Sequence, residues 1–193
     1  MVTGSSKPQQ RRGDTRQRIQ DVTLELIAEQ GYEKTSLREI SDRLGVTKAA
    51  LYYHFKTKED IVVSLFTDLM KPIDDVIARA AEQPPTLAAK LEILGEYSTA
   101  LDDAAPLFRF MQENQATMRE LSIGENFKER MTSLLDHLLP EDVTLTDRVR
   151  CLSALISMHA GMFVLRDVEG DPEEKRKAIL EVASDLITRA HHG

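Results

Sequence analysis

The sequence predicts an all-α fold, and three observations carry the prediction. Apolar residues recur at helical spacing along the whole chain, no segment alternates polar and apolar residues with β-branched enrichment, and helix-capping signals recur between the apolar stripes. With 193 residues, 41% of them hydrophobic, the chain suffices for one large domain or for a small domain joined to a larger one.

The formal net charge of −7 conceals an asymmetry. Residues 1–58 carry 11 Lys and Arg against 7 Asp and Glu, a balance of +4, while residues 59–193 carry 14 against 25, a balance of −11. A basic N-terminal module on an acidic protein implies a polyanionic partner for that module alone, because phosphate binding needs local positive potential. The single cysteine, Cys151, excludes an intramolecular disulfide and fits a reducing compartment. The polar start MVTGSSKPQQRRGDTR lacks the apolar core of a signal peptide, so a cytoplasmic location is expected. The most apolar run, CLSALISMHAGMFVL (151–165), is shorter than the roughly 18–20 residues that span a bilayer, and it carries two serines and a histidine. It reads as a buried helix, with no membrane association.

The first helix is expected to start near Asp14, where Asp14 and Gln17 have capping-box spacing. It buries Ile19, Val22, Thr23, Leu26 and Ile27 and ends at Gly31. Ser36 and Glu39 form a second capping box before a helix of about two turns, with Leu37, Ile40 and Leu44 inward and Gly45 after its end. Thr47 then caps a third helix over 48–55, with Leu51 and Phe55 buried. Two short helices joined by a three- or four-residue turn containing Gly make a helix-turn-helix.

With Leu51 and Phe55 inward, Lys48, Ala49 and Tyr52 are exposed together, because residues one and two apart cannot share a helix face. The N-terminal part of the second helix in such a pair meets base edges in the major groove, where small residues beside long polar ones allow close approach. Ala49 and Ala50 permit that approach. Tyr52, Tyr53 and His54 can donate to phosphate oxygens, and Lys58 lies in the first turn of a fourth helix capped by Thr57, whose free N–H groups attract a phosphate. Either tyrosine alone reads equally well as a half-buried packing residue.

The pattern extends further. It comprises RIQDVTLELIAEQGYEKTS, with Gly-Tyr after the first helix and Thr-Ser before the second, and LREISDRLGVTKAALYYHFKTKEDI, with Ile40, Gly45-Val46, Leu51-Tyr52-Tyr53-His54-Phe55, Lys56 and Lys58. In these features, from Arg16 to about Leu69, the chain resembles the TetR family of transcriptional regulators. Ser41 departs from the family's usual Ala but is small enough to keep the helices close. The resemblance implies that Arg38, Lys48, Ala49, Ala50 and Tyr52 face bases, and that Thr35, Ser36, Thr47, Tyr53, His54 and Lys58 hold phosphates. Ala49 and Ala50 offer only methyl contacts, so hydrogen-bonded readout falls to Arg38 and Lys48.

Four segments are expected. Residues 1–13 form a flexible basic arm. Its Arg11 and Arg12, with Arg16, either follow the DNA backbone or enter a minor groove, or the segment is a disordered tail. Residues 14–57 are the helix-turn-helix DNA-binding domain, 58–71 a connecting helix broken or kinked at Pro72, and 72–193 a helical ligand-binding and dimerisation domain.

Within the last segment the periodicity predicts helices over roughly 87–102, 105–121, 125–139, 146–168 and 172–190, the last opened by Asp171, Pro172, Glu173 and Glu174. Helix 146–168 is apolar nearly all round, which implies burial on more than one side. Ser153, Ser157, Ala160, Gly161 and Val164 form a small-residue stripe suited to the close approach of another helix. With Ile179, Val182 and Leu186 of the final helix they are the expected homodimer interface, and the resemblance implies a four-helix bundle between two subunits.

Five of the seven methionines, Met111, Met118, Met131, Met158 and Met162, fall between 111 and 162. They either fill the core or line a plastic pocket for an apolar ligand. Phe108 and Phe163 are candidate walls of such a pocket, with Phe110 beside them, and Tyr97, Arg109, Asn114 and His159 are candidate polar contacts. His159 reads first as a hydrogen-bonded core residue and only second as a ligand contact, and Cys151 as a small buried hydrophobe.

Catalysis is not expected. His54, His137 and His159 lack HExxH spacing, no Gly-rich phosphate loop follows a strand, and His191-His192 is too loose for a metal site, so neither cofactor nor metal is implied. The expected function is that of a homodimeric repressor that binds a palindromic operator in double-stranded DNA and is released by a small, largely apolar effector. The acidic C-terminal domain favours neutral or cationic compounds. The alternative is an architectural DNA-binding dimer without an effector.

Overall fold

The computed structural model describes residues 7–105, 108, 110–111, 114 and 123–192. Eight helices run through them: α1 (Lys7–Gln30), α2 (Leu37–Leu44), α3 (Lys48–His54), α4 (Lys58–Glu82), α5 (Leu87–Asp103), α6 (Ile123–Leu138), α7 (Leu145–Val164) and α8 (Pro172–His191). The fold is all-α, as the period predicts. Packing divides the chain into two units. The first holds α1–α3, α4 through Asp68, and Phe110, Met111 and Asn114; the second holds α4 from Leu69 onward and α5–α8.

The first unit is organised around Ile19 and Leu26 of α1, Ile40 of α2, Leu51 and Phe55 of α3 and Ile61 of α4, with Val22, Leu37 and Leu44 packed against them. These residues repeat at three- and four-residue spacing, so each helix turns one stripe inward. Ser36 caps α2 in a full capping box with Glu39. Gly45 ends the helix in a left-handed conformation (φ 67°, ψ 31°) with its N–H on the carbonyls of Asp42 and Ser41. A side chain at Gly45 would meet no neighbour but would carry the strain of positive φ, about 1 kcal/mol or more. Ser41 is buried and satisfies its hydroxyl on the Arg38 carbonyl at 2.8 Å.

Two boundaries differ from the sequence expectation. α1 begins at Lys7, so Asp14 lies inside the helix and residues 7–13 of the expected arm are helical. Pro8 suits the first turn, and the Gln and Arg residues after it are good helix formers. Residues 1–6 lie outside the described ones. α4 runs unbroken through Pro72 to Glu82. Proline inside a helix costs roughly 3 kcal/mol, but the buried stripe Ile61, Leu65, Phe66, Met70, Ile73, Val76 and Ala80 continues in register on both sides, and its burial offsets that cost.

In the second unit α7 and α8 form an antiparallel pair, since Gly161 lies against Ile179 while Arg150, a turn after the start of α7, reaches the Arg189 carbonyl near the end of α8. Leu94, Tyr97 and Leu101 of α5, Leu134 and Leu138 of α6, Cys151, Leu155 and Met158 of α7, and Ala183 and Ile187 of α8 are among its buried residues. Lys90 of α5 closes one end, donating to the Leu139 carbonyl at 2.5 Å with its Nζ 3.1 Å from His191 Nε2. Of the expected helix 105–121, residues 105, 108, 110 and 111 are helical and most of the rest lie outside the described ones.

Candidate nucleic-acid interface

Thr47 caps α3 by accepting the Ala50 N–H at 3.2 Å, and Phe55 closes it by donating its own N–H to the Leu51 carbonyl. Leu51 and Phe55 are sunk in the core, which leaves the opposite face of α3 to solvent. Lys48, Ala49 and Ala50 are exposed, Tyr52 and Tyr53 are 45% and 63% exposed, and His54 is half-buried with its ring edge-on to Tyr53. Lys56 donates to the Tyr52 carbonyl at 2.8 Å, so the end of α3 carries a fixed cation.

The flanking residues divide. Arg38 projects from α2 and is paired only loosely with Asp42, at 3.7 Å with both side chains mostly exposed. Such a pair contributes little and leaves the guanidinium available. Ser36 is exposed, but its hydroxyl is engaged with Glu39. Lys58 is half-buried, with Nζ 2.7 Å from the Tyr32 carbonyl oxygen and 3.8 Å from the Tyr32 ring centroid. Beside it, the Glu59 carboxyl is held below the usual range, first by its own backbone N–H and then by the Tyr32 hydroxyl at 2.8 Å.

Two expected DNA contacts are not placed for that role. Thr35 is 2% exposed and donates its hydroxyl to the Gly31 carbonyl, so it fastens the end of α1 instead of facing a phosphate. Arg16 donates to Ser64 at 2.5 Å and lies over the Phe55 ring at 4.7 Å, which ties it to α4 and the core. Gln20, one turn on, reinforces the tie by donating to Ser64 and Asp68.

The expected ligand set scatters. In the second unit the Tyr97 hydroxyl lies 3.0 Å from His159 Nε2, and His159 Nδ1 lies 2.7 Å from the Leu155 carbonyl. The carbonyl can only accept, so Nδ1 carries the proton and Nε2 accepts from Tyr97. Burial pushes the Tyr97 phenol up and the His159 imidazole down, the backbone bond opposing it at His159, and both stay neutral. Phe108 and Phe127 stack edge-on against His159 at 5.8 and 5.2 Å, and Met131 Sδ lies 3.7 Å from the Tyr97 hydroxyl. This is the core reading of His159. Phe163 is half-buried; Met111 and Asn114 belong to the first unit, where Asn114 donates to the Phe110 carbonyl. Met118 and Arg109 lie outside the described residues.

Met158 and Met162 line a different space, a cavity of about 320 Å³ bounded by α5, α7 and the start of α8. Its walls are Leu101, Ala105, Leu165 and Ile179; Arg166, Lys175 and Arg176 line it too and were not singled out in the sequence.

The small-residue stripe also resolves differently. A Cβ on Gly161 would overlap the Ile179 side chain, so α8 of the same chain is one helix that Gly161 admits, and both residues are half-buried. Ser153 and Ser157 are half-buried, with the Ser157 hydroxyl on the Ala154 carbonyl, and Leu186 is half-buried as well. Ala160, Val164 and Val182 are exposed, and they continue a stripe that sequence reasoning missed: Leu145, Val149, Leu152 and Ile156, from 39% to 79% exposed. The signal was the four-, three-, four-residue spacing within a helix that is apolar all round.

An α2–turn–α3 pair with a packed inner face and an exposed outer one defines a helix-turn-helix protein. Residues 19–65 match the family model described as bacterial regulatory proteins, tetR family. The HTH-type transcriptional regulator AcrR of Shigella flexneri is 49% identical over 55 residues, 28% of this chain and 26% of that protein. The fatty acid metabolism regulator protein of Bacillus subtilis is 33% identical over 76 residues, 39% of each. The matched stretches thus span about a quarter and two fifths of these relatives. The fatty acid degradation regulator FadR of Bacillus halodurans shares the fold with a TM-score of 0.63 at 17% identity, over 96% of this chain and 97% of that one. Over residues 19–65 the chain is thus similar to the TetR family of transcriptional regulators, and the relatives that share this stretch are regulators. Among the described residues no helix is long and apolar enough to cross a membrane.

Proposed function

We propose that the chain is a repressor that binds a palindromic operator as a homodimer and is released by a small, largely apolar ligand. The observation that carries the reading is the outer face of α3, where Lys48, Ala49, Ala50, Tyr52 and Tyr53 stand in solvent while Leu51 and Phe55 anchor the helix. Small residues at its start admit the helix to a major groove, with Lys48 and Arg38 to read base edges. The hydroxyls of Ser36, Thr47 and Tyr53, the His54 ring and Lys58 serve the phosphates on either side.

The dimer reading is supported by the uncovered stripe from Leu145 to Val164 with Val182, an apolar surface of the kind that marks a protein interface. An apolar ligand is in keeping with the Met158 and Met162 cavity and with the fatty acid regulators among the relatives. The architectural alternative is favoured by the filled packing around Tyr97, Phe108 and His159, where a ligand was expected.

The test is selection of bound fragments from genomic DNA by the full chain, followed by sequencing. An inverted repeat with half-sites about 34 Å apart, or a multiple of it, is expected; recovery of no preferred sequence defeats the reading.

A further inference from the structure

The cavity between α5, α7 and α8 has an uneven lining. Leu101, Ala105, Met158, Met162, Leu165 and Ile179 supply an apolar interior, while the charged groups are Arg166, Lys175 and Arg176 against one carboxylate, Asp102. The carboxylates that pair with two of these cations, Glu173 with Arg176 at 2.7 Å and Asp167 with Arg166 at 3.4 Å, lie outside the lining. Arg176 is pre-oriented. Its Nε and one terminal nitrogen are fixed on Glu173, and the other terminal nitrogen donates at 3.3 Å to the buried Ser98 hydroxyl in the cavity wall. Held in this way, a guanidinium loses little freedom on meeting an anion. The space offers an apolar body and a rim where three cations face one carboxylate in the lining, with Glu173 and Asp167 paired to two of them just outside it and Lys175 donating to the Val168 carbonyl.

We propose that this cavity binds an amphiphilic anion: a carboxylate on an unbranched apolar chain, with the carboxylate at Arg176 and Lys175 and the chain against Met158, Met162, Leu165 and Ile179. A volume of about 320 Å³ takes on the order of ten non-hydrogen atoms at roughly 30 Å³ each, which sets the chain at about eight to ten carbons. The two methionines adapt the wall to a flexible tail. On α7 the cavity residues Met158, Gly161, Met162 and Leu165 lie about half a helical turn from Leu152, Ile156 and Ala160. A dimer formed through that exposed stripe therefore leaves the cavity open. The inference deepens the proposed function, resting on it only for the consequence that occupancy loosens DNA.

The probes are decanoate, decanol and decyltrimethylammonium, titrated calorimetrically into the full chain and into Arg176→Gln and Met162→Trp, with melting curves to establish that each variant folds. Wild type is expected to prefer decanoate at least tenfold over both analogues. Arg176→Gln should erase that preference without changing decanol binding, and Met162→Trp should weaken all three probes tenfold or more. Equal or tighter binding of decanol or the ammonium compound to wild type overturns the inference without recourse to any variant. So does retention of the tenfold preference in a folded Arg176→Gln protein; should that variant not fold, Arg166→Gln with Lys175→Gln replaces it under the same criterion. Titration against the operator complex separates the two readings. Decanoate bound here with DNA affinity unchanged upholds the site and removes ligand release from the proposed function. A different compound that releases DNA equally from wild type and Met162→Trp upholds ligand release and removes this cavity as its seat.

Discussion

Lys58 holds its Nζ 2.7 Å from the carbonyl oxygen of Tyr32 and 3.8 Å from the centroid of the Tyr32 ring. The lysine that the sequence offers as a phosphate ligand therefore also joins the first turn of α4 to the residue pair that follows α1. Tyr32 answers through its hydroxyl on Glu59, so the two elements are laced in both directions.

Lys58→Ala is expected to have two effects. A charge-assisted bond and a cation–π contact at a half-buried site are together worth about 1 kcal/mol after solvent screening, and urea denaturation should show that loss. DNA affinity should fall for all sequences alike, and the slope of log affinity against log salt should shrink by about one per bound subunit. Unaltered stability argues against the Tyr32 contact, and an unaltered slope removes Lys58 from the interface.

Arg38→Ala should behave otherwise. Its guanidinium is exposed and only loosely paired with Asp42, so its loss leaves the fold intact. If it reads a base edge, discrimination at one base pair per half-site falls by about 1–3 kcal/mol. Competition between operators altered at single positions reads this directly. Uniform weakening at every position would reassign Arg38 to the backbone.

The N-terminal unit was legible because its signals are local. A capping box at Ser36, a left-handed Gly45 and a cap at Thr47 each act within four residues, and together they fix which face of α3 carries Leu51. What sequence could not supply was partnership across the chain. Thr35 and Arg16 look like contacts for DNA until Gly31 and Ser64 are seen to hold them. Gly161 and Ile156 lie on one apolar helix, and nothing local says that one meets α8 while the other meets solvent. In the sequence Pro72 reads as a kink or break because its cost is local while the compensating burial is not.

His159 predicts a pH dependence. Burial lowers its folded-state pKa while the bond to Leu155 opposes the shift, so the folded protein keeps the ring neutral where the unfolded chain, with an ordinary value of about 6.5, takes up a proton. The unfolded state then binds more protons than the folded one, and stability falls as pH drops below about 6.5 toward the lower folded pKa. Above about 7 the group contributes no slope. Melting temperatures of wild type and His159→Gln between pH 5 and 8 test this: the variant should show a shallower acid-side decline. Parallel curves would assign the decline to other groups.

The last prediction separates two residues of α7. Ile156 is 51% exposed in the single chain, within the stripe of Leu145, Val149 and Leu152, whereas Gly161 carries Ile179 against its backbone. If two subunits meet through the stripe, Ile156→Glu puts a charge into their interface at a position that is half exposed in the single chain, where a carboxylate stays solvated. Sedimentation should shift from dimer to monomer, with helical content retained and palindrome binding reduced to that of single half-sites. Gly161→Val fails differently. Its added carbons collide with Ile179 at a distance no Cβ tolerates, and overpacking of this kind costs about 1–3 kcal/mol within the subunit itself. Lower stability in a protein whose dissociation constant is otherwise unchanged is the expected result. A dimer that survives Ile156→Glu and is lost in a well-folded Gly161→Val protein would return the interface to the small-residue face.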